Sequence, residues 1–264
     1  MGLLSAAAIS WLVFAILIYL HFNTGAIELL NLVVSRLVPI NSRFFLTFLG
    51  IQAVLAFFLV LLLVPPVFSR DLAHQALAYY LSRPLSKLEY AWGKLAVAAG
   101  LLSAVTWIPG LLLFGLQAGL EGQGWGRQHA HIAVALFLGS LIWMAVIALP
   151  AAALSTWMRR RLSATAALLG WFFVPGIIAG IINRGLTTPW GNLFSPLSLA
   201  RIAWLALFQI TTPSAHPVLH HGRMPLQAIK PVPAWCAYLT ITMLAAVCIA
   251  ILWRRLEPIR GVRG

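Results

Sequence analysis

PPVFSRDLAHQALAYYLSRPLSKLEYAWGKL, residues 65–95, is the longest polar interruption in the N-terminal half of the chain, and its reading decides the fold. Apolar segments flank it at 44–64 and 95–116. Ser69, Arg70 and Asp71 put polar residues where a helix can start, and Asp71 is favourable near a helix N-terminus. Ala73, Ala76, Leu77 and Leu81 are good helix formers. Pro84 disfavours helical geometry at Arg83, so that helix is expected to stop there. Ser86-Lys87-Leu88-Glu89 reads as a capping box, in which Ser86 bonds the Glu89 N–H and the Glu89 carboxylate reaches back to the Ser86 N–H. The stretch is therefore expected to hold a short polar helix, a proline turn and the charged root of a membrane helix.

Composition says where such a stretch sits. Of 264 residues, 61% are hydrophobic and 9% are charged, against the roughly 25% charged residues of soluble domains. The chain reads as an all-α integral membrane protein. Its net charge of +13 raises nucleic acid as a partner, but the basic residues are not gathered into one patch. They lie between apolar segments, where they meet anionic lipid headgroups and set orientation, so membrane lipids are expected partners and nucleic acid is not. Cys236 and Cys248 share one apolar segment; helical geometry separates them by about 18 Å, too far for a disulfide. They read as small apolar packers.

The order Arg70-Asp71, then Leu81-Ser82-Arg83-Pro84-Leu85-Ser86, then Glu89-Tyr90 and Gly93-Lys94 resembles the permease subunits of type-2 ATP-binding cassette (ABC) transporters. The sharp motif covers about a tenth of the chain, and the likeness extends over most of the rest as a helix pattern. The resemblance implies a cytoplasmic loop at 65–94 between the second and third spans, with a coupling helix that docks on an ATPase subunit. It implies Arg70, Asp71, Arg83 and Glu89 as polar docking contacts, with Leu77 and Tyr80 packing beside them. Pro84 and Ser86 shape the turn and cap. It also implies a second permease copy or a related chain, ATP and Mg bound by the partner subunit and no cofactor in this chain. Substrate would meet the second and fifth spans near the dimer axis. Such permeases carry an amphipathic segment before the first span, whereas this sequence begins at the membrane; either that element is absent or it precedes Met1.

Outward from the loop, spans are expected at about 3–21, 44–64, 95–116, 132–157, 162–182 and 235–253, in one transmembrane domain. The first run lacks the basic leading region and the cleavage site of a signal peptide, and reads as an uncleaved helix. Residues 27–37, with Glu28, Asn31 and Ser35 on one face, suit a short interfacial helix ended by Pro39. Pro65-Pro66 is expected to close the second span, whose Thr47 and Gln52 read as packing or interhelical hydrogen-bond residues. Pro109-Gly110 is expected to kink the third span, 117–130 to form a Gly-rich connector, and Pro150 to interrupt the fourth. In the long connector 183–234, Ser195-Pro196 reads as an N-cap with proline at the first helical position. The apolar stretch 197–210 after it is too short for an ordinary span and is expected to be interfacial or re-entrant.

Basic residues orient the bundle. Arg70, Arg83, Lys87, Lys94, Arg159, Arg160, Arg161, Arg254, Arg255, Arg260 and Arg263 fall on one side. The smaller set Arg36, Arg43, Arg127, Arg184, Arg201, Arg223 and Lys230 falls on the other. The positive-inside rule then puts both termini and the 65–94 loop on the cytoplasmic side of the inner membrane. Trp11, Trp92, Trp125, Trp157, Trp190, Trp235 and Trp253 are expected mostly as interface anchors.

The chemistry that is missing narrows the function. No phosphate-binding Gly-x-x-x-x-Gly-Lys-Ser/Thr loop occurs, so the chain is not expected to hydrolyse ATP itself or to be an enzyme. No Asp or Glu lies inside an expected span. Proton-coupled carriers commonly keep such groups despite a cost of about 2.5–3.5 kcal/mol each at mid-membrane. His129-x-His131 and His216, His220 and His221 are the only metal-like pattern. Pro217 interrupts the latter cluster and no Cys or acid lies close, so they read as solvated loop residues and no metal is expected. No Gly-x-Ser-x-Gly, His-Glu-x-x-His or carboxylate pair supports a hydrolase. The expectation is an exporter permease energised by a partner ATPase. The alternatives are a non-transporting membrane anchor or assembly protein, and a self-contained channel or carrier.

Overall fold

A computed structural model describes residues 2–23, 39–73, 87–158, 161–211 and 231–255, and all regular structure among them is helical. In chain order the helices are α1 (Gly2–Phe22), α2 (Ser42–Ala73), α3 (Lys87–Val105), α4 (Trp107–Glu121), α5 (Gln123–Gln128) and α6 (Ala130–Trp157). α7 (Arg161–Gly185), a 3₁₀ turn at Trp190–Phe194, α8 (Pro196–Leu207) and α9 (Ala234–Arg255) complete the set. Six segments are long and apolar enough to cross a membrane: Gly2–Phe22, Ser42–Val64, Gly93–Glu121, Ala130–Trp157, Leu162–Gly185 and Ala234–Arg254. Backbone polar groups find no water in hydrocarbon, and continuous helices satisfy them internally. The chain is an all-helical integral membrane protein.

The core forms where α2 and α6 lie side by side. Ser42 meets His131, Leu49 abuts Gly139, and Trp143 reaches Ala53, so the two helices run parallel and in register. Phe45, Phe48, Leu49, Ile132, Leu136 and Ile147 are fully buried there. α1 packs antiparallel on α2, with Phe14 ring centroids 4.9 Å from Phe44 and 5.2 Å from Phe48. α7 joins through Phe172, 4.7 Å from Phe57. The short α8 packs on α6 and α9, burying Leu199, Ala200, Ala203 and Trp204.

Prolines behave differently from the sequence expectation. Pro65-Pro66 does not end the helix of the second span, because α2 continues unbroken to Ala73. No helix starts at Ser69, Arg70 and Asp71; these residues ride on the last turns of α2. A proline removes only the bond its own N–H would make, and at the end of a span water can reach the freed carbonyl. Pro150 likewise leaves α6 continuous, and Pro175 lies within continuous α7. Only Pro109 accompanies a break. Thr106 (φ −102°, ψ −86°) separates α3 from α4 inside one span. The ring of a helical proline clashes with the carbonyl four residues back, here that of Val105.

Residues 117–130 are helical rather than a Gly-rich loop. α4 runs to Glu121, so a carboxylate closes the third span, and α5 follows at once. Gly122 (φ 102°) makes the turn between them in a conformation that side chains disfavour. The Ser195-Pro196 cap is present: Ser195 Oγ accepts from the Ser198 N–H at 3.3 Å, and Pro196 is the first residue of α8. A clasp precedes it, in which Asn183 donates to Asn192 Oδ1 at 2.9 Å and accepts from Gly191 N–H at 2.8 Å. A Cβ at residue 191 would fall 2.8 Å from the Ala179 carbonyl, so the clasp needs glycine.

Candidate functional site

The expected docking residues divide by position. Arg70 and Asp71 ride on the C-terminal turns of α2, and Glu89 on the first turn of α3; the structure describes the backbone of these helices there. Leu77, Tyr80, Arg83, Pro84 and Ser86 lie outside the described residues, as do the expected interfacial helix at 27–37 and His216, His220 and His221. α3 starts at Lys87, directly after Ser86, where the capping box puts the start of a helix. Of the expected loop, 65–73 belongs to α2 and 87–94 to α3, leaving 74–86 as the connection.

The two roots of that connection leave the membrane as helices. α2 has 32 residues, about 48 Å of helix, against a hydrocarbon core of about 30 Å. In sequence, α2 turns polar at Ser69-Arg70-Asp71, and α3 opens with Lys87-Leu88-Glu89 ahead of the apolar run from Leu95. The polar helical ends at 69–73 and 87–94 therefore mark one end of the bundle, the loop end.

Polar side chains inside the spans mostly tie helices together, as expected for Gln52. Its Nε2 donates to the Ala7 carbonyl at 3.2 Å and to Ser10 Oγ at 3.3 Å. Thr47 instead donates within its own helix, to the Arg43 carbonyl at 2.8 Å. Ser155 and Thr106 bond to their own helices in the same way. Gln117 is buried near the end of α4 and donates to Glu121 at 2.8 Å.

Three tryptophans carry a role that the sequence reading missed. Trp143 donates to the Ala53 carbonyl at 2.9 Å and Trp204 to the Gly139 carbonyl at 2.9 Å. Their rings lie 5.4 Å apart, so they form a continuous seam from α2 through α6 to α8. Trp11 is not an interface anchor; it sits in the middle of α1 and donates to the Pro109 carbonyl at 3.1 Å. The discernible signal was position: an indole at mid-span needs an acceptor, and lipid offers none.

The end opposite the loop collects aromatic and polar groups. Trp125 stacks on His129 at 4.5 Å, and His129 Nδ1 lies 3.1 Å from the Trp125 carbonyl. His131 Nε2 lies 3.4 Å from Ser42 Oγ. The histidines of His129-x-His131 thus contact an aromatic ring and a hydroxyl, and among the described residues no three His, Cys, Asp or Glu side chains group to hold a metal. Cys236 and Cys248 are buried free thiols.

Neither a protein-family model nor a curated protein matches this chain.

Proposed function

We propose that this chain is the membrane-spanning permease subunit of an ATP-driven ABC exporter in the cytoplasmic membrane. In this reading both termini and the loop end face the cytoplasm. A separate ATPase subunit binds ATP and Mg and docks on the 69–89 segment, and a second permease copy or a related chain completes the translocation unit. The observation that carries the reading is the pair of polar helical ends. α2 runs on through the polar Ser69-Arg70-Asp71 to Ala73, and α3 begins at Lys87, ahead of the apolar run from Leu95. These helical ends flank the connection whose sequence holds Leu81-Ser82-Arg83-Pro84. A flexible tether would dissipate a push; a stiff helix that is also a membrane span passes it on. Closure of the ATPase dimer then shifts the bundle between inward- and outward-facing populations.

The test is recovery of the partner in mild detergent. A P-loop ATPase should co-purify with the full chain in stoichiometric amount, and the chain alone should turn over no ATP. Arg83→Glu with Leu77→Asp should insert normally but lose the ATPase. The charge reversal alone is worth only about 0–1 kcal/mol at an exposed pair, whereas Leu77→Asp puts a charge into the packed contact. A variant that inserts, keeps its ATPase and drives transport at the unmodified rate refutes docking through this segment. Retention of a partner without any ATP-driven solute movement points to the membrane-anchor alternative.

A further inference from the structure

The break in the third span lies beside two other buried polar residues, and the helix registers bring all three together. Phe48 on α2, Gly110 on α4 and Leu136 on α6 meet at one level. A Cβ on Gly110 would lie 3.1 Å from Leu136 Cδ2 and 3.5 Å from Phe48 Cε1. Residues four apart share a helix face one turn away. One turn toward the loop end from each member of this contact are Gln52, Thr106 and Ser140. All three are fully buried. They therefore form a polar layer near the middle of the membrane, between three helices.

The hydrogen bonding of that layer does not close. Gln52 spends its amide N–H groups on α1, and its Oε1 has no partner among the described residues. Ser140 Oγ has none either. Thr106 donates to the Leu102 carbonyl at 2.8 Å and keeps a free lone pair. Pro109 has no N–H, so the Val105 carbonyl loses its helical donor. Acceptors thus outnumber donors: Gln52 Oε1, Thr106 Oγ1 and the Val105 carbonyl stand against two hydroxyls, those of Ser140 and of Ser10, whose Oγ already accepts from Gln52. An unsatisfied buried polar atom costs about 1–3 kcal/mol, which makes such a surplus expensive in a bilayer.

We propose that Gln52, Thr106 and Ser140 bind a buried water molecule that bridges the second, third and fourth spans at the Thr106 break. A water brings two donors and accepts in return, which matches a layer rich in acceptors. Buried waters typically make about three hydrogen bonds to groups of this kind. In this site the water donates one hydrogen to Gln52 Oε1 and the other to Thr106 Oγ1, and accepts from Ser140. A bare cation is the poorer occupant, since only neutral oxygens would hold its charge at mid-membrane. The inference is independent of what the chain transports or whether it transports at all.

Thermal unfolding of the full chain reads the bridge. If the water links Ser140 to Gln52, Ser140→Ala lowers the melting midpoint by roughly 2–4 °C. In a Gln52→Met background the same substitution then lowers it much less. If Ser140 has no bridged partner, removing the lone hydroxyl raises the midpoint, and that result overturns the proposal. A second measurement uses the unmodified protein, so it does not depend on the variants folding. Hydroxyl radicals made from bound water by an X-ray pulse should oxidise buried Met144, one turn from Ser140, in lipid nanodiscs. An unlabelled Met144 overturns the water site. A midpoint that rises with sodium in place of choline, and no longer does so in Ser140→Ala, also overturns it by identifying a cation.

Discussion

The third and fourth spans each carry an internal proline, and only one of them breaks. Pro109 lies just past the Thr106 break, whereas Pro150 sits in continuous α6. The chemistry of the two prolines is the same, so the difference lies in what surrounds them. α6 is enclosed: Val146, Ile147, Ala151, Ala152 and Ala153 are buried around Pro150, and Trp143 about two turns earlier fixes the helix to α2. The third span is held on one side by Leu102, Val105 and Gly110, while Ile108 and Leu112 on the other side are exposed to lipid. Packing on all sides leaves a proline-bearing helix no room to bend. Packing on one side, with a hydroxyl at Thr106 to bond back to Leu102, permits the break.

The largest test of this comparison removes the enclosure. Trp143→Ala deletes the bond to Ala53 and the ring contacts to Phe172 and Trp204, and should cost about 3–5 kcal/mol, as large aromatic truncations in cores do. The measurement is thermal or denaturant unfolding in detergent. A loss below about 1 kcal/mol would mean that the tryptophan seam does not brace α6. Gly139→Val should cost less, about 1–3 kcal/mol, by overpacking. Its Cβ would already lie 3.1 Å from Leu49 Cδ2 and 3.1 Å from the Trp204 ring. A neutral effect on the same unfolding curve would show that α6 and α8 can separate freely at that level.

The sequence made some of this legible and hid the rest for physical reasons. Six apolar runs and the all-helical class follow from length and composition, because a bilayer allows a spanning chain few alternatives. The Ser195-Pro196 cap was legible because capping is local. The irregularity of the third span at Pro109 was legible; the continuity of the helices through Pro65-Pro66 and Pro150 was not, since it depends on neighbours that are distant in sequence. The helical character of 117–130 was hidden for a related reason. Its glycines and Trp125 read as a connector, but Phe45 and Phe114 give Trp125 an aromatic surface to pack on, at 6.5 Å and 5.5 Å. Of the polar mid-span residues, Gln52 was readable as an interhelical bond. Its register with Thr106 and Ser140 was not, because register between helices is set by packing. That α2 stays helical through Ser69-Arg70-Asp71 to Ala73 appeared only with the backbone.

The smallest expected energy change gives the sharpest test of the comparison. Pro109→Ala restores an N–H that the Val105 carbonyl can accept, a gain of about 0.5–1.5 kcal/mol. Straightening the span would also strain the Trp11 bond to the residue 109 carbonyl, and a bond of that kind in a membrane is worth about 0.6 kcal/mol. The two nearly cancel, so stability should hardly move while geometry does. Spin labels at Val97 and Leu120, both exposed, report the length of the third span after Cys236 and Cys248 are replaced. A straight helix would separate their positions by about 35 Å. In the parent protein the break should hold the labels short of that value, and Pro109→Ala should move them toward it. Labels at Val134 and Trp157 on α6 have the same spacing in sequence and are likewise exposed, and Pro150→Ala should leave their distance unchanged. If Pro109→Ala leaves the third span bent, the break belongs to Thr106 and its packing, with the proline only tolerated there. If Pro150→Ala lengthens α6, the enclosure by Trp143 and its neighbours does not hold that helix straight, and the contrast between the two spans is one of degree.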